Sequence, residues 1–286
     1  MQTKKLKNSI NYGDAYGLGD HILFCADATD AYAMEYFLEN QKINAIITDP
    51  PYGINYVASK ASFGQKLAQP IDIANDQEQT DQQYARFTEK WLKNVLPFLT
   101  KKNAIYIFNS DKMIFALREA MLKTDCKFSQ LLVWVKNASI PGRLDYQPAH
   151  ELIAYGWHGT HEFKKAKDKS VLYCAKPTKS KLHPTMKPLS LLRRLILNST
   201  NIGDTIYDPF GGSGSLLIAA EQTKRKCIMV EIDPQYCKTI IDRFEKTTSN
   251  KVIRLTVDIK DFLCDLKKLD RKDKKNERDR TATRKK

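Results

Sequence analysis

Asp49-Pro50-Pro51-Tyr52 directly follows the apolar run Ala45-Ile46-Ile47, and Asp208-Pro209-Phe210-Gly211-Gly212-Ser213-Gly214 follows Thr205-Ile206-Tyr207. Each reads as the carboxyl end of a parallel strand entering a tight turn, the edge of an open α/β sheet where ligands bind. The first corner carries groups that can hold an aromatic base by its amino edge. An amino group on adenine or cytosine is a poor nucleophile, because its lone pair is delocalised into the ring. Acceptors on its two N–H bonds draw the nitrogen toward a tetrahedral shape and localise that pair. The Asp49 carboxylate can accept one hydrogen and the Pro50 carbonyl the other. Pro50 and Pro51 fix φ and remove backbone donors, so the turn is stiff and its carbonyls keep set directions. Tyr52 offers a flat face on which a base can stack. A base inside a duplex cannot present its amino group to a methyl donor, so it has to be extruded. Asp49 then stabilises positive charge growing on nitrogen rather than acting as a strong base. The plain alternative is a strand-ending turn with a surface tyrosine, and the long polar stretch that follows argues against it.

The second corner has the chemistry of a nucleoside site. Gly211, Gly212 and Gly214 permit positive φ and close backbone approach, and helix-forming residues follow at 215–222. Glu231 stands 23 residues past Asp208, at the end of the next strand, where a carboxylate can take both ribose hydroxyls. The glycine spacing is not the pattern of pyrophosphate binders, which disfavours a nicotinamide dehydrogenase, and Asp208 and Glu231 would repel a diphosphate. A cationic sulfonium nucleoside such as S-adenosylmethionine suits the corner better. Phe210 either packs on the cofactor adenine or plugs the turn.

Positioning both corners takes a sheet. Seven strand-like runs occur at 21–26, 44–48, 104–109, 131–135, 151–155, 204–207 and 227–231, most of them short and continuously apolar, as in strands buried on both faces. Helical patterns lie at 29–39, 81–96, 112–122, 189–197, 215–222 and 234–244. Their apolar stripes include Tyr84, Phe87, Trp91, Leu92 and Val95 in the second, and Ile114, Phe115, Leu117 and Met121 in the third. Alternating strand and helix predicts a mostly parallel α/β sheet with helices on both faces. No helix pattern separates 131–135 from 151–155, so the second of these strands is expected to run antiparallel to its partner.

Composition narrows the class further. A hydrophobic fraction of 42% is enough for a sizeable core. No apolar run approaches the ~20 residues of a membrane helix, and no signal peptide is visible, so a cytoplasmic protein is expected. The six cysteines form no C-x-x-C pair and read as reduced thiols, with Cys25 and Cys227 in the core. His150, His158, His161, Glu162 and Cys174 fit no metal-site spacing, and no metal is expected. Trp134 and Trp157 read as core residues. The formal charge of +14 is concentrated. Residues 164–187 hold eight lysines against one acid, Asp168, and residues 265–286 hold eleven basic residues against five acidic ones. The first stretch suits a polyanion; the second is as well explained by a solubility tail.

With these motifs in this order, the chain resembles the amino-methylating DNA methyltransferases of restriction–modification and orphan type. More narrowly it resembles their permuted β group, in which the target-base motif precedes the cofactor motif. The resemblance covers about residues 21–244. His183-Pro184-Thr185-Met186-Lys187-Pro188 is similar to the family's cofactor motif ahead of the first strand, Asp27 matches the acid near the cofactor adenine, and Tyr155-Gly156-Trp157 is also family-like. The resemblance implies a Rossmann-like, doubly wound seven-stranded sheet with one reversed strand. It implies S-adenosylmethionine as cofactor, double-stranded DNA as partner, and a methylated base amino group as product. It places Asp49, Pro50, Pro51 and Tyr52 at the base, and Asp27, Lys187, Asp208, Phe210, Gly211, Gly212, Gly214 and Glu231 at the cofactor. Asp at position 49 is the form commoner in adenine-N6 enzymes; cytosine-N4 enzymes more often have Ser. A cytosine-N4 or RNA target, or a DNA-binding protein with a non-catalytic nucleoside pocket, remain the alternatives. The expected organisation is one α/β domain at 1–266, with DNA-facing segments at 53–79 and 136–182, and a basic tail at 267–286. The second segment contains Arg143, Gln147, Lys176 and Lys179, which suit base or phosphate contacts. It is short, so sequence readout is either brief or shared with the 53–79 loop or the second subunit of a homodimer.

Overall fold

The strands that carry the two corners are neighbours in one sheet. The structure, a computed structural model, describes residues 9–53, 78–139, 145–165, 167–175 and 186–255. Most of the 53–79 loop, Arg143, Lys176, Lys179, His183 and the 267–286 tail lie outside the described residues. Ten strands are formed: β1 (Ala15–Leu18), β2 (His21–Cys25), β3 (Ile43–Thr48), β4 (Leu99–Asn109), β5 (Cys126–Val135), β6 (His150–His158), β7 (Val171–Tyr173), β8 (Thr205–Asp208), β9 (Lys226–Glu231) and β10 (Val252–Leu255). Their order is β10-β1-β2-β9-β8-β3-β4-β6-β5-β7. All seven expected strands are present, and β6 is antiparallel to both β4 and β5.

The expected seven strands and one reversal become ten and two among the described residues. β1 pairs antiparallel with both β2 and β10, and β7 adds in parallel to β5. These three additions are short strands at the two ends of the sheet, with β10 and β7 at its edges. Gly17 interrupts the apolar pattern of β1, and the three residues of β7 sit inside the lysine-rich stretch, so neither carries enough periodicity to be read.

Among the described residues six helices cover the sheet: α1 (Ala31–Leu38), α2 (Asp81–Val95), α3 (Ile114–Lys123), α4 (Leu189–Ser199), α5 (Ser215–Gln222) and α6 (Pro234–Thr248). Local chemistry sets their starts. Asp30 accepts from the backbone of Tyr32 and Ala33, Thr80 and Gln83 form a reciprocal capping box, and Asp233 caps α6 with Pro234 in its first turn. Side chains alternate across each strand. Leu23, Cys25, Ala45 and Ile47 pack with α4, α5 and α6, whereas Phe24, Ile43 and Ile46 pack with α1, α2 and α3. Both faces are therefore buried, which explains the continuous apolar runs. Phe115 departs from its expected place: it is 75% exposed and lies outside the core stripe of α3, which is built from Ile114, Ala116, Leu117, Ala120 and Met121.

Tyr155-Gly156-Trp157 crosses β6 opposite a register shift in β5 between Phe128 and Gln130. There the backbone of β5 presses onto Gly156: a Cβ at that position would lie 1.7 Å from the Lys127 carbonyl oxygen. Because the obstacle is backbone, a side chain forces the strands apart. Gly156→Ala is expected to destabilise the fold by roughly 1–3 kcal/mol, an overpacking penalty read as a lowered denaturant midpoint at unchanged slope. A midpoint equal to that of the parent would contradict this packing.

Candidate active site

Chain connectivity creates the crevice. From β8 the chain passes through α5 to β9 on one side, and from β3 it passes through α2 to β4 on the other. Strand order therefore reverses between β8 and β3, a switch point of the kind where α/β sheets bind ligands. Ala45 pairs with Ile206 and Ile46 with Tyr207, so the two strands end at the same edge. A cavity of about 340 Å³ opens there, and both motifs line it, Asp49 and Gly212 included.

At the first corner, Asp49 Oδ1 accepts a 2.7 Å hydrogen bond from the Tyr52 hydroxyl, and Oδ2 accepts one from Lys187 Nζ. Burial pushes the Asp49 carboxyl up and Glu151 adds to this, while Lys187 opposes it. The Tyr52 hydroxyl is held well above its ordinary range by burial and by the charges of Asp49 and Glu151, so it stays a donor. Pro50 is buried and Pro51 half-buried on the cavity wall.

The second corner is built around two inward-turned carboxylates. Asp208 is 5% exposed and accepts from Thr48 Oγ1 at 2.7 Å and from the Phe210 backbone at 3.1 Å. Burial raises its carboxyl to about 8. Glu231 accepts from the Gly212 backbone at 2.7 Å and from the Asp233 backbone at 2.9 Å, and burial raises it to about 7. Gly211 lies so close to β9 that a Cβ would meet the Met229 side chain at 2.6 Å, and Gly214 adopts φ 73° at the start of α5. Phe210 lines the cavity and also packs against α2, its ring 5.6 Å from that of Phe87 and 5.7 Å from that of Trp91. Asp27 lines the cavity just past β2, with Oδ1 accepting from the Thr29 backbone and hydroxyl.

Lys187, expected at the cofactor, lines the cavity, is bonded to Asp49 and lies 3.1 Å from Glu151. Glu151 and Lys136 were not legible as site residues. Each is a charge at the cavity end of an otherwise apolar strand, which was the one signal available. Trp134 is buried as expected yet also lines the cavity, and Gln147 is exposed and bonded to Ser139. The His158 and His161 pair is accounted for otherwise: His161 stacks on Trp157 at 3.6 Å. Among the described residues no group of three or more His, Cys, Asp or Glu could hold a metal ion.

The cavity's acids outnumber its cations. With Lys187 facing Asp49 and Lys136 facing Glu151, the remaining lining carboxylates include Asp27, Asp208, Glu231 and Asp233. Of these, Asp208 and Glu231 are buried and pushed upward, and a cation bound beside them would favour their ionised forms. Phe210, Ile232 and Tyr236 give the cavity an apolar wall, and Glu231 stands at the end of β9 on the same cavity.

The DNA methylase family profile matches residues 43–242. The type II methyltransferase M.HpaI of Haemophilus parainfluenzae is 28% identical over 254 residues, covering 79% of this chain and 74% of that protein. The type II methyltransferase M2.DpnII of Streptococcus pneumoniae is 24% identical, covering 76% of this chain and 88% of that protein. Among solved structures, the M1.HpyAVI–SAM complex shares 26% identity at a TM-score of 0.58, over 77% of this chain and 98% of that one. The cytosine-N4-specific PvuII DNA methyltransferase, at 16% identity and a TM-score of 0.64 over 82% of this chain and 90% of that one, shares the fold. With the family matched over most of the sequence and the base corner ahead of the glycine corner, this chain belongs to the DNA methylase family, in the permuted β group of S-adenosylmethionine-dependent amino-methyltransferases.

Proposed function

We propose that the protein methylates the N6 amino group of an adenine extruded from double-stranded DNA at a specific sequence. One observation carries the reading: the Asp49 carboxylate opens onto the same cavity as the glycine corner. S-adenosylmethionine supplies an electrophilic methyl group on a sulfonium sulfur. Glu231, Asp27 and the backbone of Gly211, Gly212 and Gly214 would hold its nucleoside, with Asp208 bracing the turn and Phe210 on the apolar wall. Asp49 and the Pro50 carbonyl accept the two N–H bonds of the base, and the ring stacks on Tyr52, whose hydroxyl is steadied by Asp49. Pro51 holds the corner stiff. Aspartate rather than serine at position 49 favours adenine over cytosine.

Asp49→Ala is expected to reduce methyl incorporation into DNA by about 10²–10⁴-fold, the range for losing a group that manages the transferred proton, with donor affinity kept. Calorimetry with the donor and tritium transfer to mixed-sequence DNA measure the two separately. Mass spectrometry of the digested DNA names the base: N6-methyladenosine supports the proposal, and N4-methylcytosine replaces it with the cytosine-N4 reading.

Donor binding should also depend on pH in a defined direction. Glu231 is raised to about 7 and gains its negative charge as pH rises through that value. A cationic donor prefers the ionised form, so affinity should strengthen from pH 6 to pH 8 and weaken on acidification. Glu231→Gln should remove this component and leave a shallower slope from the donor itself and from Asp208. The same pH slope in parent and variant would exclude Glu231 from the donor site.

A further inference from the structure

The base end of the cavity contains an ion-pair chain built from four separate segments. Lys136, just past β5, lies 2.8 Å from Glu151 Oε1; Glu151 Oε2 lies 3.1 Å from Lys187 Nζ; Lys187 donates to Asp49 Oδ2. The side chains of Lys136 and Lys187 are 4% and 8% exposed. Two cations face two carboxylates, so the ionised cluster is neutral as a whole, the condition under which buried charges are tolerated. The Lys187 ammonium also lies 5.0 Å from the centre of the Phe108 ring and 6.0 Å from that of Tyr52. It is thus fixed from several sides in a position bonded to the carboxylate of the base corner.

We propose that Lys187 is a positioning residue for Asp49, and that Glu151, itself held by Lys136, is the positioning residue for Lys187. The clamp orients the Asp49 carboxylate and keeps its negative charge in the cavity before any base arrives. Its role in methyl transfer rests on the amino-methylating reading above; its existence does not.

Several groups face Asp49, and they act in different directions. Tyr52 donates to it from its own corner. Glu151 from β6, Asp208 from β8 and Tyr84 from α2 are electrostatically linked to it, and Asp111 and His150 line the same cavity. Lys187 is the cation at bonding distance, and Lys136 acts on Asp49 through Glu151. Burial and the Glu151 charge both favour a protonated Asp49, whereas Lys187 favours the carboxylate. Removing Lys187, and removing the charge of Glu151 while an acceptor for Lys187 is kept there, must therefore move the titration of Asp49 in opposite directions. A merely structural cluster would lower stability in both variants without that reversal.

The test uses the full chain labelled with ¹³C at aspartate carboxyls, with the Asp49 resonance assigned by its loss in Asp49→Asn. Lys187→Met should raise the Asp49 midpoint by about one pH unit or more, the size expected for loss of a bonded opposite charge. Glu151→Gln, whose neutral amide oxygen can still accept from Lys187, should lower it, and Lys187→Arg should keep it near that of the parent. If Lys187→Met does not fold, the downward move in Glu151→Gln and the retained midpoint in Lys187→Arg decide the matter. The acid limb of single-turnover methylation should move with the resonance. An Asp49 midpoint unchanged in Lys187→Met, or moved in the same direction by Lys187→Met and Glu151→Gln, overturns the clamp. Opposed shifts in a protein that transfers no methyl group to DNA would keep the clamp and sink the amino-methylating reading instead.

Discussion

The whole site depends on the pairing of β3 with β8, which the Thr48–Asp208 hydrogen bond secures at the cavity edge. These residues are 160 positions apart in sequence and 2.7 Å apart in space. Both are nearly fully buried, so the bond forms where water cannot compete. Asp208 also fixes the start of the glycine turn through the Phe210 backbone. One carboxylate therefore braces the strand that leads into Asp49 against the glycine corner. Its burial is unfavourable, as its carboxyl raised to about 8 shows, and strand pairing on both sides keeps it in place.

From that brace the cavity separates into two electrostatic regions. Around Asp49 the charges are matched, carboxylate to ammonium, leaving no net charge there. Around Glu231 they are unmatched, and the excess acid suits a cation. A backbone amide at each oxygen of Glu231, from Gly212 and Asp233, keeps that carboxylate oriented while burial raises its affinity for a proton. The glycine turn is tied to the acid of the next strand by this contact. That gives a physical reason for their joint appearance in the sequence.

Much of this was legible before any coordinates. The seven strands, the six helices and the reversal of β6 follow from short apolar runs and the absence of a helix pattern between β5 and β6. What escaped was whatever depends on pairing across distance. β1 and β10 hold each other at the sheet edge and carry no strong pattern alone. Gly156 lies in a family-like tripeptide, but its reason is the Lys127 carbonyl of a neighbouring strand. Phe115 fits the stripe by spacing yet faces outward, since periodicity does not say how wide the buried face of α3 is. The contacts of Lys187 with Asp49 and Glu151 were not legible either, because Glu151 is one acid among many until the fold brings them together.

Charge is divided between the cavity and the surface as well. In the lysine-rich stretch after β6 the one acid, Asp168, is turned inward. Arg194 holds it through two nitrogens and Asn198 donates to it at 2.8 Å, which keeps its carboxyl far below the usual range. Lys165, Lys167 and Lys169 are exposed around it. Asp168 thus fastens the segment to α4 with its own charge neutralised, and the outward face is left cationic. A polyanionic backbone is attracted to that face, while the acid-rich end of the cavity repels phosphate. On the proposed reading these two fields sort the parts of a nucleic acid: phosphates stay outside on the lysines, and only an uncharged base, swung out of the helix, meets no electrostatic barrier on its way to Asp49.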